Sequence, residues 1–190
     1  RDAGTVIVDG QEVVYKSPQE AEKAGIVFIY QELNVLFDLT VEENLFMGKE
    51  ITKGFGVCDK KAMRAKAQEV MDKMGVNIDV GATMSDLSVG QQQMVEICKA
   101  LMADAKVLIM DEPTAALTES ETEGLFRVIN SLRQKGVSIV YISHRMEEIF
   151  ALCDRITILR DGEYIDTRYI KDINMDDVVQ MMIGREIGER

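Results

Sequence analysis

Residues 106–118 have the sequence KVLIMDEPTAALT, in which a short apolar run, VLIM at 107–110, ends in two adjacent carboxylates, Asp111 and Glu112. An apolar run of this length predicts a buried strand of a parallel sheet. Open α/β sheets bind their ligands at the carboxyl ends of such strands. Two acids are costly to desolvate there unless they are paired or bind a cation. The pair is therefore either a solvated acidic turn or a site where one acid holds a metal ion and the other activates water.

The composition indicates a globular domain with room for a hydrophobic core. Of 190 residues, 46% are hydrophobic and 29% are charged, a balance typical of folded chains. The net charge of −11 argues against a nucleic-acid-binding surface and against direct binding to an anionic membrane. No apolar run approaches the ~20 residues that cross a bilayer. Cys58, Cys98 and Cys153 lack zinc or redox spacing and are predicted to be buried, reduced thiols.

Strands and helices alternate along the chain, which predicts an α/β fold with a mainly parallel sheet. Strands are predicted at residues 5–8, 12–15, 26–29, 107–110, 137–142, 155–159 and 164–166. Helices are predicted after the N-cap residues Ser17, Thr40, Asp59, Ser88, Thr118, Ser143 and Asn174. Asp9-Gly10 and Asp161-Gly162 predict two antiparallel hairpin pieces. Residues 40–102 contain helices and no convincing strand, so they are predicted to be a helical insertion.

Polar residues lie within two positions of the ends of three predicted strands. Gln31 follows one strand, Asp111 and Glu112 follow another, and His144 follows a third. This is the edge at which an α/β sheet gathers a binding site. A fourth feature is the helix start at residues 87–91, LSVGQ, whose backbone N–H groups and positive dipole end can hold an anion.

In this order the features resemble the ATP-binding-cassette (ABC) ATPases, and the resemblance covers essentially the whole chain. The matching motifs are the Q-loop glutamine at Gln31, the LSGGQ-type signature at 87–91 with Val89 replacing the first glycine, the Walker B strand at 107–111 followed by Glu112, the D-loop at 115–118 and the switch histidine at His144. Several motifs in register are far more specific than any one of them. The segments at 30–34, 111–118 and 141–150 look like bacterial importers of monosaccharides, a class with ribose, galactose, arabinose and xylose systems.

The resemblance implies a P-loop NTPase-type sheet, with an ATPase core at residues 1–39 and 103–190 and a helical subdomain at 40–102. It also implies roles at the strand ends. Asp111 would hold Mg²⁺, directly or through water, and Glu112 would orient and deprotonate the attacking water.

Two further residues would complete the site at the strand ends. His144, the only histidine, would contact the γ-phosphate of ATP, and Gln31 would lie near the Mg²⁺ and the water. The structural alternatives are a capping or solvated acid for Glu112, a structural histidine and a surface glutamine.

The signature segment would act across a dimer of two cassettes. The γ-phosphate of ATP held by a second, head-to-tail cassette would be bound by Ser88, Val89, Gly90 and Gln91. The alternative is an ordinary helix N-cap followed by a glycine, and both descriptions can hold at once. Thr118 replaces the usual D-loop aspartate, which weakens any inference of a carboxylate contact across the dimer, although Thr118 can still cap the next helix.

One expected motif is missing, because the 190 residues contain no G-x-x-x-x-G-K-[ST] sequence. That loop, Walker A, cradles the phosphates and supplies a lysine. The Walker A strand, loop and helix are expected to precede Arg1, so we expect a fragment that binds ATP poorly and hydrolyses it negligibly. Loss of an interior strand is expected to leave exposed sheet edges and an uncovered apolar face. We therefore expect a chain that is marginally stable, or one that repairs the gap by association or rearrangement.

The resemblance implies an ATP-hydrolysing subunit, with ATP and Mg²⁺ as cofactors, that drives sugar import through an integral-membrane permease. Its partners would be a second nucleotide-binding domain fused in the same polypeptide and, indirectly, a periplasmic sugar-binding protein, with no nucleic acid. The location would be the cytoplasmic face of the bacterial inner membrane. The alternatives are a non-transport ABC-type ATPase acting as a switch or interaction module, and a catalytically silent interaction fragment.

Overall fold

The computed structural model describes residues 4–31, 33–53, 56–103 and 105–184. The chain divides into two compact units, residues 1–140 and 141–190. Arg1 and Glu32, which belong to segments discussed above, lie outside the described residues. Within the described ranges, no helix is long and apolar enough to cross a membrane.

The first unit begins with an antiparallel hairpin of β1 (Val6–Val8) and β2 (Gln11–Val13). Asp9 and Gly10 connect the strands with φ angles of 51° and 77°. Both loop residues are therefore left-handed, as a type I′ turn requires and as the Asp-Gly pair favours. The predicted hairpin is confirmed, although β2 ends at Val13 rather than at residue 15.

The main sheet of this unit has the strand order β3–β4–β5, with β3 at Ile26–Ile29, β4 at Val107–Asp111 and β5 at Ser138–Ile142. β3 and β4 run parallel, with Ile29 opposite Met110. The boundary between the two units falls within β5. Val140 and Ile142 of β5 are 48% and 44% exposed, whereas Leu108 and Met110 of β4 are fully buried.

Five helices and a 3₁₀ turn at Met84–Asp86 complete the described part of the first unit. The helices are α1 (Pro18–Lys23), α2 (Val41–Phe46), α3 (Lys60–Met74), α4 (Val89–Leu101) and α5 (Glu119–Gln134). The described residues between 40 and 102 form only isolated β-bridges and no strand. The boundaries of the helical subdomain, 40–102, stay a prediction.

Helix α4 lies at the centre of the first unit, since it packs against α2, α3, α5 and β3. Its residues Val95, Ile97 and Cys98 are fully buried, and burial of each large apolar side chain stabilises the fold by about 1.5–3 kcal/mol. The same burial raises the pKa of the Cys98 thiol to about 12. Cys58 is exposed, so its predicted burial is wrong.

The second unit contains the end of β5, α6 (Met146–Leu152), a hairpin of β6 (Arg155–Arg160) and β7 (Glu163–Tyr169), and α7 (Met175–Ile183). The hairpin turn at Asp161-Gly162 is again left-handed at both positions, with φ angles of 53° and 81°, as predicted. The core of this unit is formed by Ile149, Ile156, Ile158 and Val178.

Ser143 does not cap α6, which corrects the sequence prediction. The N-cap residue is Arg145, and its side chain makes no capping hydrogen bond. The Ser143 hydroxyl instead accepts a hydrogen bond from the Arg145 backbone N–H at 3.0 Å and donates one to Oε2 of Glu148 at 3.2 Å. The Ser143 hydroxyl, which was expected to cap α6, is therefore bonded to the buried carboxylate of Glu148 instead.

Candidate functional site

The strand-end acids lie beside Gln31 at one edge of the parallel sheet. Because β3 and β4 are parallel with Ile29 opposite Met110, the chain leaves both strands at the same edge, at Gln31 on one side and at Asp111 and Glu112 on the other. Gln31 is exposed, and both acids are partly buried. The structure thus brings these three predicted site residues together.

Glu112 has a backbone conformation that few residues other than glycine adopt. Its φ angle is 46°, in the left-handed region, which costs a non-glycine residue roughly 1–2 kcal/mol. Strain of this kind is concentrated at functional sites. The carboxylate oxygen Oε2 of Glu112 is buried, so the side chain is not a solvated surface acid. This geometry favours the functional interpretation of the acidic pair over a solvated turn.

The chain between Glu112 and α5 is a compact pair of turns. The Ala115 N–H donates to the Glu112 carbonyl oxygen at 3.2 Å, and the Leu117 N–H donates to the Thr114 carbonyl oxygen at 3.1 Å. Thr114 is 1% exposed. These bonds fix the predicted D-loop, residues 115–118, between the strand-end acids and the start of α5.

The signature segment forms a complete capping box at the start of α4. The Ser88 hydroxyl accepts from the Gln91 N–H at 3.2 Å, and the Gln91 side-chain oxygen accepts from the Ser88 N–H at 3.0 Å. Val89 is 52% exposed, whereas Gly90 is buried. The N-cap role is therefore observed, while the predicted phosphate contact stays a prediction.

Glu121 of α5 covers the signature glycine. A Cβ atom on Gly90 would lie 2.2 Å from Oε2 of Glu121. The same oxygen accepts hydrogen bonds from the N–H and the hydroxyl of Thr118, both at 2.8 Å. One carboxylate thus links the end of the D-loop to the first turn of α4. The sequence marked Thr118 as an N-cap but gave no signal that Glu121 approaches Gly90.

Two buried side-chain amides, one on α2 and one on α4, bind the loops that precede those two helices. Asn44 is fully buried; it accepts from the Leu36 N–H at 2.8 Å and donates to the carbonyl oxygens of Leu36 at 2.9 Å and Thr40 at 3.0 Å. Gln92 donates to the carbonyl oxygens of Met84 and Leu87 at 2.9 and 3.1 Å. Neither amide was predicted, because no local motif identifies a buried polar residue inside a helix.

His144 belongs to the second unit, where the carboxylate of Glu148 organises the chain around it. Glu148 is 4% exposed. Its Oε2 atom accepts from the hydroxyls of Tyr141 at 2.7 Å and Ser143 at 3.2 Å, and its Oε1 atom lies 2.8 Å from a guanidinium nitrogen of Arg145. His144 itself is exposed. Its predicted place in a pocket with the strand-end acids stays a prediction.

Comparison with known proteins gives the same family at three levels. The family model described as ABC transporter matches residues 1–115. The ribose import ATP-binding protein RbsA of Bacillus licheniformis is 56% identical over 189 residues, covering 100% of this chain and 38% of that protein. The protein of the same name from Lactococcus lactis subsp. lactis is 56% identical over 186 residues, covering 98% of this chain and 38% of that protein. The chain thus spans well under half the length of these curated relatives.

Solved structures confirm the P-loop NTPase-type α/β fold. A nucleotide-free ATP-binding cassette from an ABC transporter matches with a TM-score of 0.79 at 25% identity, over 99% of this chain and 78% of that one. The ATP-binding cassette MJ0796, a dimer in a post-hydrolysis state bound to ADP and Pi, matches with a TM-score of 0.74 at 26% identity, over 89% and 74% of the two chains. The resemblance inferred from the motifs is confirmed, and the chain belongs to the ABC transporter family.

Proposed function

We propose that the protein containing this chain hydrolyses ATP to drive import of a monosaccharide through a membrane permease. The observation that carries the proposal is the β3–β4 register, which brings Gln31 beside Asp111 and Glu112 at one edge of the sheet. The curated relatives that match nearly the whole chain are named ribose import ATP-binding proteins. Their name supports a pentose such as ribose as the transported sugar.

The donor set at the strand ends fits Mg²⁺ held together with a nucleotide. Among the described residues, no three His, Cys, Asp or Glu side chains form a group that could hold a metal by themselves. Mg²⁺ needs no such group, since it is commonly held by one or two carboxylates together with phosphates and waters. Asp111 would hold the ion with Gln31 beside it, and the ion would neutralise phosphate charge.

Glu112 would act as the general base. Its partly buried side chain and strained backbone fix the carboxylate at the end of β4, where it would accept a proton from the water that attacks the γ-phosphate. His144 would contact that phosphate group. The strain at Glu112 is a cost that a fixed catalytic geometry would explain.

The signature segment would complete the site of a second cassette. The capped start of α4 presents N–H groups and a positive dipole end, and Ser88 and Gly90 would bind the γ-phosphate held by the partner, with Val89 and Gln91 beside them. The dimeric state of the similar cassette bound to ADP and Pi supports this arrangement. The second cassette would be fused in the same polypeptide, because the curated relatives are much longer than this chain.

The remaining partners follow from the transport role. The protein would bind an integral-membrane permease at the cytoplasmic face of the bacterial inner membrane, and a periplasmic sugar-binding protein would act through that permease. A transport experiment tests the proposal. The full-length protein and its permease, reconstituted in vesicles with the binding protein, should show ATP-dependent uptake of labelled ribose. Absence of ATP-dependent uptake of ribose and of the other monosaccharides by an intact complex would overturn it.

A further inference from the structure

A single buried carboxylate contacts the chain on both sides of His144. Residues 141–145 are called here the switch segment. Glu148 lies on α6 and accepts hydrogen bonds from the side chains of Tyr141 and Ser143, which precede His144. It also forms an ion pair with Arg145, which follows His144. His144 is exposed, whereas Glu148, which contacts its neighbours, is only 4% exposed.

These contacts form one connected network rather than separate bonds. The Ser143 hydroxyl donates to Glu148 and accepts from the Arg145 N–H at 3.0 Å. The backbone N–H of Glu148 in turn donates to the Arg145 carbonyl oxygen at 3.1 Å. Hydrogen bonds to a charged, buried acceptor are about twice as strong as neutral ones. The backbone on each side of His144 is thus fixed by the same group.

The start of α6 lacks a side-chain cap that would help to fix this segment. Its N-cap residue, Arg145, makes no side-chain capping bond, in contrast to the complete boxes at α4 and α5. A helix start usually relies on its cap to set the entry angle of the chain. Here the carboxylate from the first turn of the helix takes over that role.

We propose that Glu148 is a positioning residue, which presents the imidazole of His144 in one orientation by fixing the switch segment. The proposal rests on the proposed function, in which His144 contacts the γ-phosphate. Glu148 does not itself need to touch nucleotide. Its contribution is to remove alternative backbone orientations of residues 141–145, so that the imidazole does not have to be ordered during each turnover.

The test measures ATP hydrolysis by the full-length protein with Glu148→Gln, which keeps the volume but removes the charge that Arg145 and the two hydroxyls contact. We expect kcat to fall by about 10- to 100-fold, the range seen when residues that orient a catalytic ligand are replaced. KM for ATP should change less than about twofold, since no nucleotide contact is lost. Glu147→Gln is the matched control, because Glu147 is an exposed neighbour on the same helix and its replacement should leave kcat unchanged.

A double-mutant cycle separates positioning from general destabilisation. If Glu148 acts through His144, the variant with both Glu148→Gln and His144→Ala should be no slower than His144→Ala alone. The proposal would be overturned if the reductions in kcat caused by the two substitutions multiplied in the double variant, or if kcat were unchanged in Glu148→Gln. If Glu148→Gln does not fold, Tyr141→Phe removes one of the contacts described above and should lower kcat by a few-fold with the same non-additivity. An unchanged kcat in Tyr141→Phe, or effects that multiply with those of His144→Ala, would also overturn the proposal.

Turnover of the two single variants separates the proposed function from the positioning role of Glu148. Loss of turnover in His144→Ala with normal turnover in Glu148→Gln would leave the function standing and remove the role of Glu148. Full turnover in His144→Ala would contradict the role of His144 and, with it, the positioning role that depends on it.

Discussion

The starts of α4 and α6 both carry predicted nucleotide contacts, but they are built in different ways. At α4, Ser88 and Gln91 satisfy each other's backbone N–H groups within three residues of sequence. At α6, the N-cap side chain makes no such bond, and Glu148 reaches back from inside the helix to residues 141–145. The first arrangement is local and stands on its own; the second requires a carboxylate to be buried.

The difference shows which kind of helix start tolerates change. A capping box depends on short side chains at fixed spacing, and its loss costs a modest amount of free energy. A buried carboxylate with several donors is a network, in which removal of one partner leaves charge poorly solvated. We therefore expect substitutions at the start of α6 to cost more than the loss of the cap at α4.

Gly90→Ala tests whether Glu121 constrains the start of α4. The new Cβ atom would lie 2.2 Å from Oε2 of Glu121, so that carboxylate must leave its hydrogen bonds to Thr118. The displaced atoms are the end of a flexible side chain, so the main cost is the lost capping interaction, about 1–2 kcal/mol, and alanine recovers part of it as the better helix former. The free energy of unfolding should therefore fall by about 1 kcal/mol or less, measured by urea unfolding followed by circular dichroism.

Gly124→Ala on α5 is the matched control for Gly90→Ala. A Cβ atom there would meet only Arg127, at 3.7 Å, and alanine is the better helix former, so this variant should be neutral or more stable by up to about 1 kcal/mol. Equal losses in both variants would show that Glu121 does not constrain Gly90.

A larger loss of stability is expected for Arg145→Ala. It removes the cation 2.8 Å from the buried Glu148 carboxylate while two hydroxyl donors remain, and hydrogen bonds to charged groups are worth about 1.5–3 kcal/mol. Because Arg145 is half exposed, we expect a loss near the lower end, about 1–2 kcal/mol. Thermal unfolding measures it.

Arg145→Ser distinguishes the two ways of building a helix start. Serine is a preferred N-cap residue, so the substitution would give α6 the cap that it lacks. If the ion pair with Glu148 holds the switch segment, Arg145→Ser should be less stable than the wild type. A more stable Arg145→Ser chain would mean that α6 lacked only a cap, and the contrast with α4 would fail.

The loss of the cap at α4 should cost less than the change in Arg145→Ala. Ser88→Ala removes the hydroxyl that accepts from the Gln91 N–H, and substitutions of this kind cost about 1 kcal/mol. In the full-length protein, the same change should weaken ATP-dependent association of the cassettes if Ser88 also binds phosphate. A stability loss with unchanged ATP-dependent association would leave the N-cap as its only role.

Thiol reactivity gives a probe of the core around α4 that requires no stability change. Burial raises the pKa of Cys98 to about 12, so at pH 8 only about 1 in 10,000 molecules would carry the reactive thiolate. A thiol reagent should therefore modify the exposed Cys58 first and Cys98 only on unfolding. In a Cys58→Ser chain, rapid modification of Cys98 would show that α4 opens locally.

Sequence patterns predicted those features that depend on neighbouring residues. The Asp-Gly turns, the N-caps at Thr40, Ser88 and Thr118, and the buried strand before Asp111 all follow from rules that span a few positions. The register that aligns Gln31 with the strand-end acids follows from parallel pairing, which the alternation of strands and helices indicated.

Features that depend on tertiary packing were not predicted. Ser143 precedes a helix and has a capping side chain, but the buried Glu148 competes for its hydroxyl. The approach of Glu121 to Gly90 depends on how α5 packs on α4, and no periodicity encodes that distance. Cysteine is usually buried, but the burial of Cys58 depends on whether its loop packs against the core. In the structure Cys58 is exposed.

The central claim is that the acids at the end of β4 perform the chemistry, and turnover by a Glu112→Gln variant of the full-length protein tests it most directly. We expect ATP hydrolysis to fall by about 10²- to 10⁴-fold, as for loss of a general base, while ATP-dependent association of the two cassettes persists. Glu119→Gln, an exposed acid at the start of α5, should hydrolyse ATP normally. Retained turnover in Glu112→Gln would contradict the account.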